Sequence, residues 1–304
     1  ELRDESRIPE SQGGTLAQPQ GPNRHDSLIT GTAIGRRTPM VDSRWKVMGQ
    51  AKYGDDIRLP GELFGRILRS PHHYARIMSI DTSAAEALPG VVAVSTGSEA
   101  PTCFGVLPVT KDEHAMAQEK VRHVGDLVAC VAAEDELTAL EALRLIEVDY
   151  EPLPAVIDPE QAAEDGAPQL HDEIPRNQAF HWAVAGGDID AAFEQAEVVV
   201  SDRIIQQRLI PNAMETRAAL ASYTTATGEL TLWNTTQNPH IVRFLMSLVC
   251  GLGEDKIRVV APEVGGGFGS KLAVYPADFV TVFCSMRLGR PVKWTETRSE
   301  NYQA

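Results

Sequence analysis

Val264-Gly265-Gly266-Gly267-Phe268-Gly269-Ser270-Lys271 is the stretch of this sequence best suited to chemistry. A glycine cluster lets the backbone approach a ligand closely and aim free N–H groups at it. Phe268 is the unusual member, because a phosphate cradle has no use for an aromatic ring. Upstream stands a second polar turn, Asn234-Thr235-Thr236-Gln237-Asn238-Pro239-His240, in which Gln237 precedes Phe268 by 31 positions (268 − 237).

The elements that must position these turns can be read from periodicity. The apolar, β-branched run 257–261 predicts a strand entering the glycine turn. Residues 275–287 predict a helix leaving it, whose N-terminus would also face a ligand. Residues 230–234 predict a strand ending at the Gln237 turn. Asn238 and Pro239 fit the N-cap and first position of a helix running to about Val249. Ile241, Leu245, Leu248 and Val249 recur at helical spacing as its apolar face, and Gly251 and Gly253 close it. Both turns therefore follow strands, where α/β sites commonly sit.

Three bottom-up readings compete for the glycine turn. A Walker A loop fails, because Ser270 stands where its second glycine is needed and Leu272, not Ser or Thr, follows Lys271. A dinucleotide fingerprint is nearly met by Gly265-x-Gly267-x-x-Ser270, but no acidic residue ends a second strand ~20 residues on. A plain structural turn is the third reading. The residues alone leave the last two open.

The remaining stretches narrow the choice. Thr38-Pro39 through Lys46-Val47-Met48-Gly49, Leu68-Arg69-Ser70-Pro71-His72, Ile80-Asp81-Thr82-Ser83 and Val148-Asp149-Tyr150-Glu151-Pro152 all stand in order with Met214-Glu215, Thr-Thr-Gln-Asn-Pro and Gly-Gly-Gly-Phe-Gly. Together they resemble the molybdenum hydroxylase large subunit over roughly residues 35–304. That family includes xanthine dehydrogenase, aldehyde oxidase, aerobic CO dehydrogenase and 4-hydroxybenzoyl-CoA reductase, and the wording is most similar to the last two branches. The resemblance implies an α+β fold: an a/b hammerhead domain followed by the first part of a molybdopterin-binding domain. It implies a molybdenum hydroxylase, an oxidoreductase in a multi-subunit complex, with molybdopterin cytosine dinucleotide as the Mo cofactor. Electrons would pass to a [2Fe–2S] small subunit and an FAD-binding medium subunit. In the family the glutamine side chain and the phenylalanine N–H contact the ligands of the molybdenum. Those roles fall on Gln237 and Phe268, with Gly266, Gly267 and Gly269 as cofactor-binding backbone. No residue here is assigned as a catalytic base or direct metal ligand, because the family's base lies further along its large subunit. The resemblance leaves two arrangements open: the sequence is a fragment of that subunit, or the subunit is split and a second polypeptide completes it as a partner. Leu272 stands where purine-oxidising relatives carry an acidic residue. The substrate class expected is a small aromatic, an aldehyde or a CO-like molecule. The alternatives are an NAD(P)-type dehydrogenase using the glycine turn and a non-catalytic assembly subunit.

Composition agrees. The net charge of −14, from 28 Lys and Arg against 42 Asp and Glu, argues against nucleic acid or an anionic membrane surface as partner. No apolar run approaches the ~20 residues of a membrane span. No secretory core is visible near the start and no apolar run follows Arg36-Arg37, so cytoplasmic residence is expected. Cys103, Cys130, Cys250 and Cys284 have no metal-ligand spacing, so an iron–sulfur cluster is expected on another chain; Cys130 and Cys250 read as core thiols.

Along the chain, 1–27 reads as a disordered tail, 28–155 as the hammerhead domain, 156–180 as a linker and 181–304 as the first part of the cofactor domain. Strands are expected at 63–69, 91–95, 128–132, 146–150, 198–206, 218–223 and 291–295, and helices at 82–88, 135–145 and 191–196. His72 and His73 are expected in a structural turn. Glu215 is expected to pair with Arg217, and Lys271 to form an ion pair, contact the pterin or sit at the surface.

Overall fold

All seven residues of Leu127–Ala133 are buried, which requires a strand covered on both faces of a sheet. A computed structural model, describing residues 40–100, 102–105 and 111–303, places that strand inside a seven-stranded mixed sheet. The expected tail at 1–27 lies outside the described residues.

In chain order the strands are β1 (Leu63–Arg69), β2 (Ala75–Asp81), β3 (Val91–Thr96), β4 (Cys103–Phe104), β5 (Glu113–His114), β6 (Lys120–Val121), β7 (Leu127–Ala133) and β8 (Glu147–Pro152). Then come β9 (Ala218–Thr224), β10 (Glu229–Asn234), β11 (Ile257–Val260) and β12 (Val292–Thr295). The helices are α1 (Ser43–Val47), α2 (Ser83–Glu86), α3 (Glu136–Arg144), α4 (Pro159–Ala162), α5 (Ile189–Glu194), α6 (Pro239–Cys250), α7 (Pro276–Leu288) and α8 (Arg298–Asn301). Residues 40–51, which carry α1, belong to a separate unit from 52–304. No helix of the described residues is long and apolar enough to cross a membrane.

The large sheet runs β11-β10-β9-β12-β1-β7-β3. Its centre joins distant parts of the chain: β12 pairs parallel with β1 and antiparallel with β9. Smaller sheets, β6-β2-β8 and β4-β5, stand beside it. On β7, Ala129, Val131 and Ala133 pack with Ala139 and Ala142 of α3. Cys130 and Ala132 turn to the other cluster, with Phe279, Val280 and Cys284 of α7. Helix α7 is buried nearly all round, so its sequence is apolar without a clean stripe.

Two expectations are corrected. Residues 198–206 form no strand: Val198, Val200, Ile204 and Ile205 are exposed, and the backbone pairs with no neighbour among the described residues. A β-rich sequence becomes a strand only where an edge is offered to it. On α6 the inward face is Val242 and Met246, with Leu245 and Val249 packed beside them. Ile241 and Leu248 point outward with Phe244. The helix is apolar on most sides, so spacing alone could not choose its core face.

Candidate functional site

Parallel pairing of β10 with β11, through Trp233↔Val260, brings both polar turns out at one end of the sheet. The main chain then ties them together. The Gln237 N–H donates to the Lys271 carbonyl at 2.8 Å, and the Thr236 hydroxyl donates to the same oxygen at 3.3 Å. The Gln237 side chain adds a second tie: its Oε1 accepts the N–H of Gly269 at 3.0 Å and of Lys271 at 3.3 Å. Two donors on that oxygen fix the sense of the carboxamide. Its NH2 group has no hydrogen-bond partner among the described residues.

Gly267 is required by this arrangement. A Cβ there would stand 2.5 Å from Gln237 Oε1 and 2.6 Å from Cδ. Phe268 is a non-glycine residue in the left-handed region, at φ 51, between Gly266 at 97 and Gly269 at 91. Such a conformation is uncommon for an aromatic residue and marks a constrained turn. The turn closes through Ser270 N–H to Gly267 O at 2.9 Å and Leu272 N–H to Gly269 O at 3.2 Å. The N–H groups of Gly266, Gly267 and Phe268 make no hydrogen bond among the described residues. With the Gln237 NH2 they make a local set of uncommitted donors, and a Cβ at Gly267 would fill part of their cradle. Such a set fits the electron-rich oxygens of an oxo-metal or other anionic group.

The expected helix N-terminus is not part of this cradle. Residues 270–275 separate the glycine turn from α7, whose N-cap Tyr275 gives its N–H to Asp278 at 3.0 Å. A dinucleotide loop needs its glycines to open directly into a helix, and that junction is missing.

The flanking charges pair differently from expectation. Glu215 meets Lys271, Nζ to Oε2 2.8 Å, and not Arg217; Lys271 is only 2% exposed. Arg217 instead forms a buried pair with Glu296, and its guanidinium lies 3.6 Å over the Tyr275 ring. Burial pushes the Asp278 carboxyl up to about 6, opposed by the Tyr275 N–H, Arg217 and the Asn234 amide. No spacing rule joins residues 50 or more positions apart, so these partners had no signal in the sequence. A cavity of about 880 Å³, lined in part by Gly269, Ser270, Tyr275 and Tyr302, opens beside the turn. His72 sits in its turn against Tyr150, ring centroids 4.8 Å apart, its N–H on Ser70 Oγ. Among the described residues no group of three or more His, Cys, Asp or Glu could hold a metal ion.

Residues 48–154 match the model of the aldehyde oxidase and xanthine dehydrogenase a/b hammerhead domain. Residues 170–304 match the molybdopterin cofactor-binding domain. The chain is 41% identical to the carbon monoxide dehydrogenase large chain of Afipia carboxidovorans, over 94% of this chain and 37% of that one. It is 36% identical to the nicotinate dehydrogenase large molybdopterin subunit of Eubacterium barkeri, covering 88% of this chain and 62% of that markedly shorter relative. The crystal structure of quinoline 2-oxidoreductase from Pseudomonas putida 86 superposes with a TM-score of 0.76 at 35% identity, over 90% of this chain and 35% of that one. This chain thus spans little more than a third of the length of the carbon monoxide dehydrogenase chain. With a hammerhead domain followed by a molybdopterin-binding domain, the chain belongs to the molybdenum hydroxylase large-subunit family.

Proposed function

We propose that this chain is the part of a molybdenum hydroxylase large subunit that holds the oxo face of the cofactor. The observation that carries this reading is the donor set just described: a carboxamide NH2 locked in orientation by two bonds to its oxygen, beside the unpaired N–H groups of Gly266, Gly267 and Phe268. When bound, the cofactor supplies two-electron oxidation of a carbon centre with oxygen derived from water, or the reductive reverse. The chain's own part is to orient and polarise. The Gln237 NH2 and the Phe268 N–H would hold the electron-rich oxygens of the group, and fixed donors of this kind do not have to reorganise as charge develops. Gly266, Gly267 and Gly269 allow the close approach. Phe268, 75% exposed, and Leu272, 52% exposed, give the turn an apolar rim, which favours a small apolar substrate over a purine.

We assign molybdopterin cytosine dinucleotide as the cofactor form, the form that the family resemblance implies; the match of residues 170–304 to the molybdopterin cofactor-binding domain supports the pterin part of that reading. Small and medium partner subunits would hold [2Fe–2S] and FAD to take up the electrons, as the family resemblance implies; the four cysteines of this chain lack cluster spacing. The general base is assigned to large-subunit sequence beyond these 304 residues, whether on the same polypeptide or on a second one.

A dye-linked oxidation assay of the natively purified complex on CO, nicotinate and quinoline tests the reading. Gln237→Ala should lower turnover by about 10- to 100-fold, the equivalent of a lost bond worth roughly 1–3 kcal/mol in the transition state. Metal content should fall much less. Unchanged turnover at full molybdenum occupancy would remove Gln237 from the site.

A further inference from the structure

Glu215 lies outside the donor set, yet its carboxylate reaches both ends of the glycine turn. Oε2 accepts the Gly265 N–H at 2.6 Å, at the start of the turn, and Lys271 Nζ at 2.8 Å, at its end. Oε1 accepts the Gly54 N–H at 3.2 Å, which anchors the turn to a segment more than 150 positions away. The Glu215 N–H returns a bond to Gly265 O at 3.1 Å. Lys271 continues the chain of contacts through its backbone. Its N–H donates to Gln237 Oε1, and its carbonyl accepts the Gln237 N–H.

We propose that Glu215 and Lys271 are positioning residues that set the Gln237 amide and the Phe268 N–H in register for the cofactor. The proposal rests on the reading of the donor set above. Two observations favour it over simple charge balance, and a third makes the pair costly to break. The two contacts on Oε2 bracket the segment that carries the uncommitted N–H groups. The approach is close, since a Cβ on Gly265 would stand 2.5 Å from Glu215 Cβ, so only a glycine lets the backbone lie against this side chain. The ion pair is sheltered, with the Lys271 side chain 1% and the Glu215 side chain 16% exposed. A charge in such a place needs its partner, and loss of either leaves the other uncompensated.

The test compares the natively purified protein with Glu215→Gln, Lys271→Met and the double variant. Three measurements are taken: thermal unfolding, hydrogen exchange of residues 264–272 by mass spectrometry, and the Mo(V) EPR signal after dithionite reduction. The single variants should exchange that segment at least about tenfold faster, with distant strands unchanged. They should also give an altered Mo(V) signal. The double variant removes the charge imbalance, so its Tm should recover toward wild type while fast exchange and the altered signal persist. Recovery of all three together would reduce the pair to charge balance and overturn the proposal, as would wild-type exchange in the singles. The exchange comparison needs no metal, so a wild-type protein without molybdenum would defeat the proposed function and leave this inference to be decided by exchange.

Discussion

Gly267→Ala should damage the site through Gln237 while leaving the fold nearly intact. The added Cβ would stand 2.5 Å from Gln237 Oε1, 2.6 Å from Cδ and 2.9 Å from Cγ. Those atoms belong to the end of a flexible side chain, which swings away and releases the N–H groups of Gly269 and Lys271. Gln237 is exposed, so water replaces much of what is lost. Each bond then counts at the low end of its range, about 0.5 kcal/mol, or about 1 kcal/mol for both. Gly267 does not occupy the left-handed region, so alanine regains about 0.4–1 kcal/mol by restricting the unfolded chain. The sum is near zero to about 0.6 kcal/mol, a Tm change of at most roughly 2–3 °C. Turnover behaves differently. A displaced amide should reproduce Gln237→Ala and lower the rate by about 10- to 100-fold. The assay is a double-mutant cycle, with dye-linked turnover and thermal unfolding measured on the same preparations. Adding Gly267→Ala to Gln237→Ala should cost little more, because the obstructing side chain is already gone. Additive losses, full activity of Gly267→Ala, or its global unfolding would refute the reasoning.

Other consequences follow from the same geometry. The Asp278 carboxyl is raised by burial to about 6, so the folded state holds its proton more tightly than the unfolded chain. Stability should therefore fall as pH rises from about 4 through 6, by up to about 3 kcal/mol, and urea titrations at pH 4, 5 and 7 should show a flatter dependence in Asp278→Asn. An identical slope in both proteins would contradict this. On α6, Met246→Ala should cost about 2–5 kcal/mol, because Met246 is fully buried, whereas Leu248→Ala, at a position 56% exposed, should stay within about 0.5 kcal/mol. Equal losses in urea titration would mean the helix face is misassigned. The isolated polypeptide should show neither flavin nor iron–sulfur absorption in the visible, while the native complex shows both.

The sheet strands and main helices were largely legible because their signals are local. β1, β9, β10, β11 and α6 sit within a residue or two of the expected bounds, and Gly251 closes α6 in the left-handed region as anticipated. The two turns were legible as a pair, since two strands each followed by a polar turn lead to one sheet end. β2 (Ala75–Asp81) was not expected as a strand, and three further features were not legible. Residues 198–206 carry a strand sequence, but pairing is a property of the neighbours, and none is present among the described residues. The core face of α6 depends on what packs against it, and an almost wholly apolar helix gives spacing no contrast. The Glu215–Lys271 and Arg217–Glu296 pairs are tertiary contacts between residues 56 and 79 positions apart. Proximity in sequence suggested Glu215 with Arg217, whereas the chain carries each of them to a different partner.

The most direct test of the central claim is molybdenum content and acid-released cytidine monophosphate, measured per copy of this chain in the natively purified protein. Wild type should carry about one of each, the occupancy of a single site. Gly266→Val, which forces a branched side chain into a φ of 97 beside Phe268 and Ala213, should lose most of both with β1, β7 and α7 still folded by hydrogen exchange. A wild-type protein without molybdenum, or a Gly266→Val variant that keeps its full complement, would contradict the assignment of this turn to the cofactor.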